Sequence, residues 1–216
     1  MKLKTKFALT LSAALLCGCA TQTNTADKAS TENSVSPNMS FFVTSANPGN
    51  GADLGGLAGA DAYCSTLANN AGVTGKVWKA YLSSSTENAI ARIGTGPWQN
   101  AKGVVVATDI ENLISDDNNL SKSTSISETG EVIRGRGDEP NRHDILTGTD
   151  AIGNATENTC EDWTSSGAGS ATVGHHDRTG GGDNPTSWSS AHGSRGCSLE
   201  ALQGTGGDGL FYCFAQ

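Results

Sequence analysis

The chain has 216 residues, with 14 Lys+Arg against 22 Asp+Glu and a formal charge of −8. That balance repels a phosphate backbone and argues against nucleic acid as a partner. With 17% charged residues and 28 glycines, well above the usual share of about 7%, the composition excludes a helical bundle and points to a loop-rich fold of one domain plus appended segments.

Lys2, Lys4 and Lys6 precede an apolar run from Phe7 to Leu16. The run is too short to span a bilayer and has the form of a signal sequence. Leu16-Cys17-Gly18-Cys19 resembles a bacterial lipobox, which makes 1–18 a lipoprotein signal peptide and Cys19 the lipidated residue. Ala20 follows where an Asp would favour inner-membrane retention, so the expected address is the outer membrane, lipid-anchored and either periplasmic or surface-exposed. Acyl chains supply the membrane affinity through buried CH₂ groups, so no basic membrane face is needed. Residues 19–40 are polar and aperiodic, and are expected to form a flexible tether. Residues 41–216 form the folded domain.

Phe41 to Thr44 is a short β-rich run closed by the turn-forming Asn47-Pro48-Gly49-Asn50-Gly51. Leu57, Ala60, Cys64, Leu67, Ala68 and Ala71 share one helical face, and Gly72 suits the C-terminal stop. Val77 to Leu82 is a strand candidate. Ser84-Ser85-Thr86-Glu87 has the capping-box pattern, which predicts a second short helix over 85–93. Val104 to Val106 suggests a buried strand. From Ser115 regularity fades, and the segment 167–209 is Gly-rich, a length of loop that is usually functional or disordered. Gly209 to Phe214 is a strong strand run.

Once Cys17 and Cys19 are set aside, Cys64, Cys160, Cys197 and Cys213 remain, an even number in an exported domain. Three pairings are open. Joining Cys64 to Cys213 would tie the two ends of the domain and leave Cys160–Cys197 to staple the Gly-rich tract. No Cys-x-x-Cys pair supports a metal site built on cysteine.

Several motifs occur in order: Phe42-Val43-Thr44-Ser45, Gly55 to Cys64 (GGLAGADAYC), Lys79-Ala80-Tyr81-Leu82-Ser83, Leu146-Thr147-Gly148-Thr149, Cys160 to Ser165 (CEDWTS) and Leu210 to Phe214 (LFYCF). Together they resemble the bacterial endostatin-like domain family of surface lipoproteins, to which the leptospiral endostatin-like outer-membrane proteins belong. The resemblance covers roughly 41–216. It implies an α+β, C-type-lectin-like fold, with two short helices on a twisted antiparallel sheet and long Gly-rich loops, and the nested pairing of first Cys with last. It also implies adhesion, because family members with assigned roles bind extracellular-matrix components and complement regulators.

Sugar-binding C-type lectins hold Ca²⁺ with Glu-Pro-Asn and Trp-Asn-Asp motifs. This chain has Glu139-Pro140-Asn141, but Thr164-Ser165 follows Trp163, so half of the ligand set is missing. No cofactor is therefore expected, with Ca²⁺ as the alternative. Asp138, Glu139, Asn141, Asp162 and Trp188 are the candidate ligand contacts. Trp188, among Ser, Thr and Pro, is expected to be partly exposed as an aromatic platform. Arg136-Gly137-Asp138 is an integrin-type tripeptide and equally good turn chemistry. His175-His176-Asp177 with His192 could ligate Zn²⁺ or Ni²⁺, but adjacent histidines on flexible backbone seldom face one ion, and exposed loop histidines are expected. No Gly-x-Ser-x-Gly elbow or phosphate loop occurs. The expected function is a non-enzymatic, surface-anchored binding module for a protein or glycan ligand. The alternatives are a structural envelope lipoprotein and a hydrolase using Ser194 and His192.

Overall fold

The structure, a computed structural model, describes residues 34–216. The signal peptide, Cys19 and the tether up to residue 33 lie outside the described residues. The last part of the expected tether belongs to the domain: Ser36 N–H donates to Ala101 O and Ser40 N–H to Gln99 O, each at 2.8 Å. Met39, one of the few apolar side chains in that polar stretch, is fully buried.

In chain order the elements are β1 (Phe41–Val43), α1 (Gly56–Asn70), β2 (Trp78–Ala80), α2 (Ala89–Arg92), β3 (Trp98–Gln99), β4 (Val105–Ala107), α3 (Ile110–Ile114), β5 (Asp144–Leu146), α4 (Cys160–Trp163), β6 (Thr172–His175), β7 (His192–Gly193), α5 (Leu199–Gln203) and β8 (Gly207–Ala215). The architecture is α+β, with few and short helices. The main sheet has the order β1-β8-β5-β6-β7, with β2 also paired to β8, and β3 and β4 form a separate ribbon. The sheet is mixed where an antiparallel one was expected, because β5 runs parallel to β8.

Strand β8 organises the molecule because its alternation is apolar on both sides. Phe211, Cys213 and Ala215 face one core with Phe42, Leu146, Val173 and the α1 residues Ala60, Cys64 and Ala68. Leu210, Tyr212 and Phe214 face a second core with Phe41, Val43, Tyr81, Trp98, Ile145 and Trp188. A period-two strand can be buried on both faces only if something covers each, and here α1 covers one and the loop half the other. Burial of each such aromatic contributes roughly 1.5–3 kcal/mol.

Two disulfides are present, Cys64–Cys213 and Cys160–Cys197, with sequence separations of 149 and 37. The first bonds α1 to β8 and so fixes the helix on the sheet.

Three local expectations are corrected. The Ser84–Glu87 pattern closes a tight antiparallel bridge instead of opening a helix, with Ser84 N–H donating to Glu87 O at 2.8 Å. The helix begins only at Ala89, whose N–H is taken by Ser83 Oγ. Val104 and Val105 are exposed, because the β3–β4 ribbon presents one side to solvent.

Candidate metal centre

The ladder of β5, β6 and β7 places three chemistry-bearing residues on one face. Asp144 lies opposite His175 in the β5–β6 register, and His192 lies opposite Val173, two residues before His175 on β6. Because side chains alternate along a strand, Asp144, His175 and His192 share the face on which Leu146 and Val173 enter the α1-side core. His143 precedes β5 and stacks on His175, with ring centroids 4.3 Å apart and planes 12° from parallel.

Asp144 Oδ1 is 3.1 Å from His143 Nε2, 3.3 Å from His175 Nε2 and 3.5 Å from His192 Nε2. His175 Nε2 and His192 Nε2 are 3.1 Å apart. Asp144, His143 and His175 are buried, and His192 is half-buried. Neither carboxylate oxygen of Asp144 has a partner in hydrogen-bond geometry, and among the described residues no Lys or Arg pairs with it.

The outer ring nitrogens decide what the inner ones offer. His175 Nδ1 lies 2.8 Å from Pro185 O, and His192 Nδ1 lies 3.1 Å from Gly193 O. A carbonyl oxygen only accepts, so each Nδ1 carries the hydrogen and each neutral ring presents a bare lone pair at Nε2. His143 Nδ1 lies 3.4 Å from Asp177 Oδ1 outside hydrogen-bond geometry, so no partner among the described residues fixes the tautomer of this ring, and its Nε2 faces Asp144 Oδ1 at 3.1 Å. The Nε2 atoms of three imidazoles thus surround one carboxylate, and for His175 and His192 the Nδ1 partners leave Nε2 as the acceptor side of the neutral ring. Such a group offers a cation a set of nitrogen and oxygen donors.

A divalent transition metal serves all four. Zn²⁺ bound at roughly 2.0–2.1 Å puts neighbouring donors about 3.3 Å apart; Asp144 Oδ1 lies 3.1–3.5 Å from the three Nε2 atoms, and His175 Nε2 lies 3.1 Å from His192 Nε2. Imidazole with one carboxylate suits Zn²⁺, Ni²⁺ or Co²⁺ and not Ca²⁺, which takes oxygen. The carbonyls of Pro185 and Gly193 fix the His175 and His192 rings as outer partners of metal-binding histidines usually do.

The electrostatics agree with a site that attracts positive charge. Burial pushes the Asp144 carboxyl up, but His175, His192 and His143 outweigh it and hold it below the usual carboxylate range. Asp177 is likewise held low against its burial by His143 and the Arg136 N–H. The Asp144 carboxylate raises His192, against the opposing effect of burial.

Glycine backbone seals the cluster. A Cβ on Gly180, whose φ is +153°, would lie 2.3 Å from His175 Cε1, and one on Gly206 would lie 3.0 Å from His143 Nε2. Above the rings lies an open cleft of about 430 Å³, bordered by Arg136, Asn141, Thr205, Gly181 and Gly182.

The sequence-derived candidates separate. Asn141 borders this cleft, and its Oδ1 accepts from His143 N–H at 3.2 Å. Glu139 is exposed beside a different depression shared with Asp208. The Asp138 carboxylate is taken by Lys122 at 2.6 Å and by the Gly135 N–H. Asp162 accepts from Ser85 N–H at 2.7 Å. Its commitment to Ser85 removes it from any oxygen set with Glu139 and Asn141. Trp188 is a core residue and not an exposed platform: it is 3% accessible, its Nε1 donates to Leu113 O, and it packs on Tyr81 and Tyr212.

His175 and His176 are buried rather than exposed in a loop. As strand neighbours they face opposite ways, and His176 Nε2 donates to Arg134 O at 3.2 Å. Burial lowers the His176 ring, which is held neutral there. Ser194 Oγ donates to Gly196 O and accepts from Ala171 N–H, so both of its hydrogen-bonding roles go to backbone.

His143 and Asp144 were missed in the sequence. The available signal was charge inside a strand: His143-Asp144 leads directly into the apolar Ile145-Leu146. Compared with known proteins, the chain matches no family model, and no curated protein is similar to it.

Proposed function

We propose that this protein is a lipid-anchored envelope domain that binds a divalent transition metal, Zn²⁺ foremost, through His143, Asp144, His175 and His192. It acts as a non-enzymatic binding module. The carrying observation is the convergence of three imidazole Nε2 atoms on a buried carboxylate that pairs with no Lys or Arg among the described residues. The domain belongs to the endostatin-like family with a C-type-lectin-like fold. That reading rests on the ordered motifs and is supported by the tie between first and last cysteine. The lipobox supports acylation at Cys19 and an outer-membrane address, where the cleft meets protein or glycan ligands.

The test is competition for Zn²⁺ between the full chain and a chromophoric chelator. One equivalent binds, and His175→Ala or Asp144→Asn weakens binding at least about a hundredfold, as expected when a ligand rather than an outer partner is removed. Binding of Zn²⁺ that is indifferent to both substitutions, or no binding, overturns the reading.

A further inference from the structure

The metal site has an inner and an outer side. Asp144 closes the inner side, with its side chain 1% accessible. The three rings form the floor of the cleft, and on the outer side no carboxylate borders it. Most cations around this region are paired; among the described residues Arg195, beside Gly204, is not, but it does not border the cleft. Lys122 pairs with Asp138, Arg142 with Asp208 and Arg178 with Asp116. Arg136 borders the cleft, and among the described residues its guanidinium has neither an ion pair nor a hydrogen bond; only its backbone N–H is engaged, by Asp177. An unpaired guanidinium is conspicuous in a chain of net charge −8.

On the basis of the metal site proposed above, we infer that the ion accepts a fifth, outward ligand, an exogenous carboxylate, and that Arg136 binds the same ligand. Zn²⁺ and Co²⁺ can expand from four ligands to five, and the cleft is the side from which a fifth reaches the ion. A divalent ion with Asp144 as its charged ligand retains one positive charge, which a monoanion neutralises. Arg136 adds the fork geometry that matches a carboxylate. A phosphate dianion calls for more donors than this cleft supplies: its rim offers one Arg, no Lys and no helix N-terminus. The ligand class is therefore an acidic one, such as a uronic or sialic acid, or a peptide carboxylate.

The experiment uses the full chain in detergent loaded with one equivalent of Co²⁺, whose visible bands report coordination. Acetate and hippurate shift those bands saturably, and Arg136→Ala, compared at equal Co²⁺ loading, weakens the carboxylate response about tenfold, the loss of one charge-assisted hydrogen bond. Arg136→Lys recovers part of it. A Co²⁺ spectrum unmoved by either carboxylate means a closed four-ligand site; it overturns this inference and leaves the metal proposal standing. Equal responses in wild type and Arg136→Ala, or phosphate binding more tightly than acetate, also overturn it. No Co²⁺ uptake overturns both.

Discussion

On the α1-facing side of the sheet, Leu146 and Val173 lie opposite each other on β5 and β6 and enter an apolar core. Asp144 and His175 lie opposite each other on the same strands and the same face, yet they hold a polar cluster at their end. One backbone ladder carries both. At the apolar end the positions are held by burial, which has no direction and tolerates exchange of similar volumes. At the polar end two rings are held by named acceptors, Pro185 O for His175 and Gly193 O for His192, and His143 stacks on His175 with Asp177 beside it. A regular sheet thus ends in a site whose precision comes from irregular chain.

The covalent braces test that division most severely. Loop-closure entropy assigns about 5 kcal/mol to Cys64–Cys213 and about 4 kcal/mol to Cys160–Cys197, following their separations of 149 and 37 residues. In urea denaturation, Cys64→Ser/Cys213→Ser is expected to lose more than Cys160→Ser/Cys197→Ser. The first pair fixes α1 on β8 and therefore the apolar end. A reversed order would place the structural keystone in the loop half.

Next in size is the contrast within the polar end itself. Zn²⁺ at a hundredfold excess over its dissociation constant stabilises a binding-competent fold by about 2.7 kcal/mol. Asp144→Asn is expected to abolish that gain and also to cost the metal-free chain some stability at neutral pH, because the folded state favours the Asp144 carboxylate. Thermal melts with and without Zn²⁺ separate the two effects. A large loss in the metal-free protein would make the cluster a structural network.

The apolar end was legible in the sequence because it obeys a period. The spacing from Leu57 to Ala71 gave α1, and Leu210 to Phe214 gave the core of β8. The polar end has no such period. β5, β6 and β7 are two to four residues long, too short for alternation to register. His143, His175 and His192 are separated by long connections that only the strand pairing closes. His175-His176 could be seen as a pair, but not that alternation would send one ring to Asp144 and the other to Arg134. Trp188 sits in a stretch of Ser, Thr and Pro that reads as surface, yet its indole fills the core between Tyr81 and Tyr212. Composition describes a neighbourhood along the chain, while burial is decided by what crosses it.

The smallest expected effect lies between the two regions, at α4. Cys160, Glu161, Asp162 and Trp163 all have positive φ, from 49° to 67°, and left-handed backbone costs each non-Gly residue about 1–2 kcal/mol. The turn is held by the Cys160 disulfide, by Trp163 Nε1 donating to Ser83 O at 2.7 Å, and by the Asp162 carboxylate on Ser85. The Ser85 hydroxyl and N–H keep the Asp162 carboxyl below its usual value. A carboxyl with a lowered folded-state value contributes its stabilisation above the unfolded value, about pH 4, and loses it as pH falls through the folded value. Asp162 is partly solvated, so Ser85→Ala is expected to cost only about 1 kcal/mol at pH 7. That difference from wild type shrinks below pH 4, once Asp162 is protonated in both chains. Urea midpoints measured from pH 7 down to pH 3 follow it. A difference that stays constant with pH would mean that Ser85 holds the turn through packing, and that the disulfide and Trp163 alone offset the left-handed backbone.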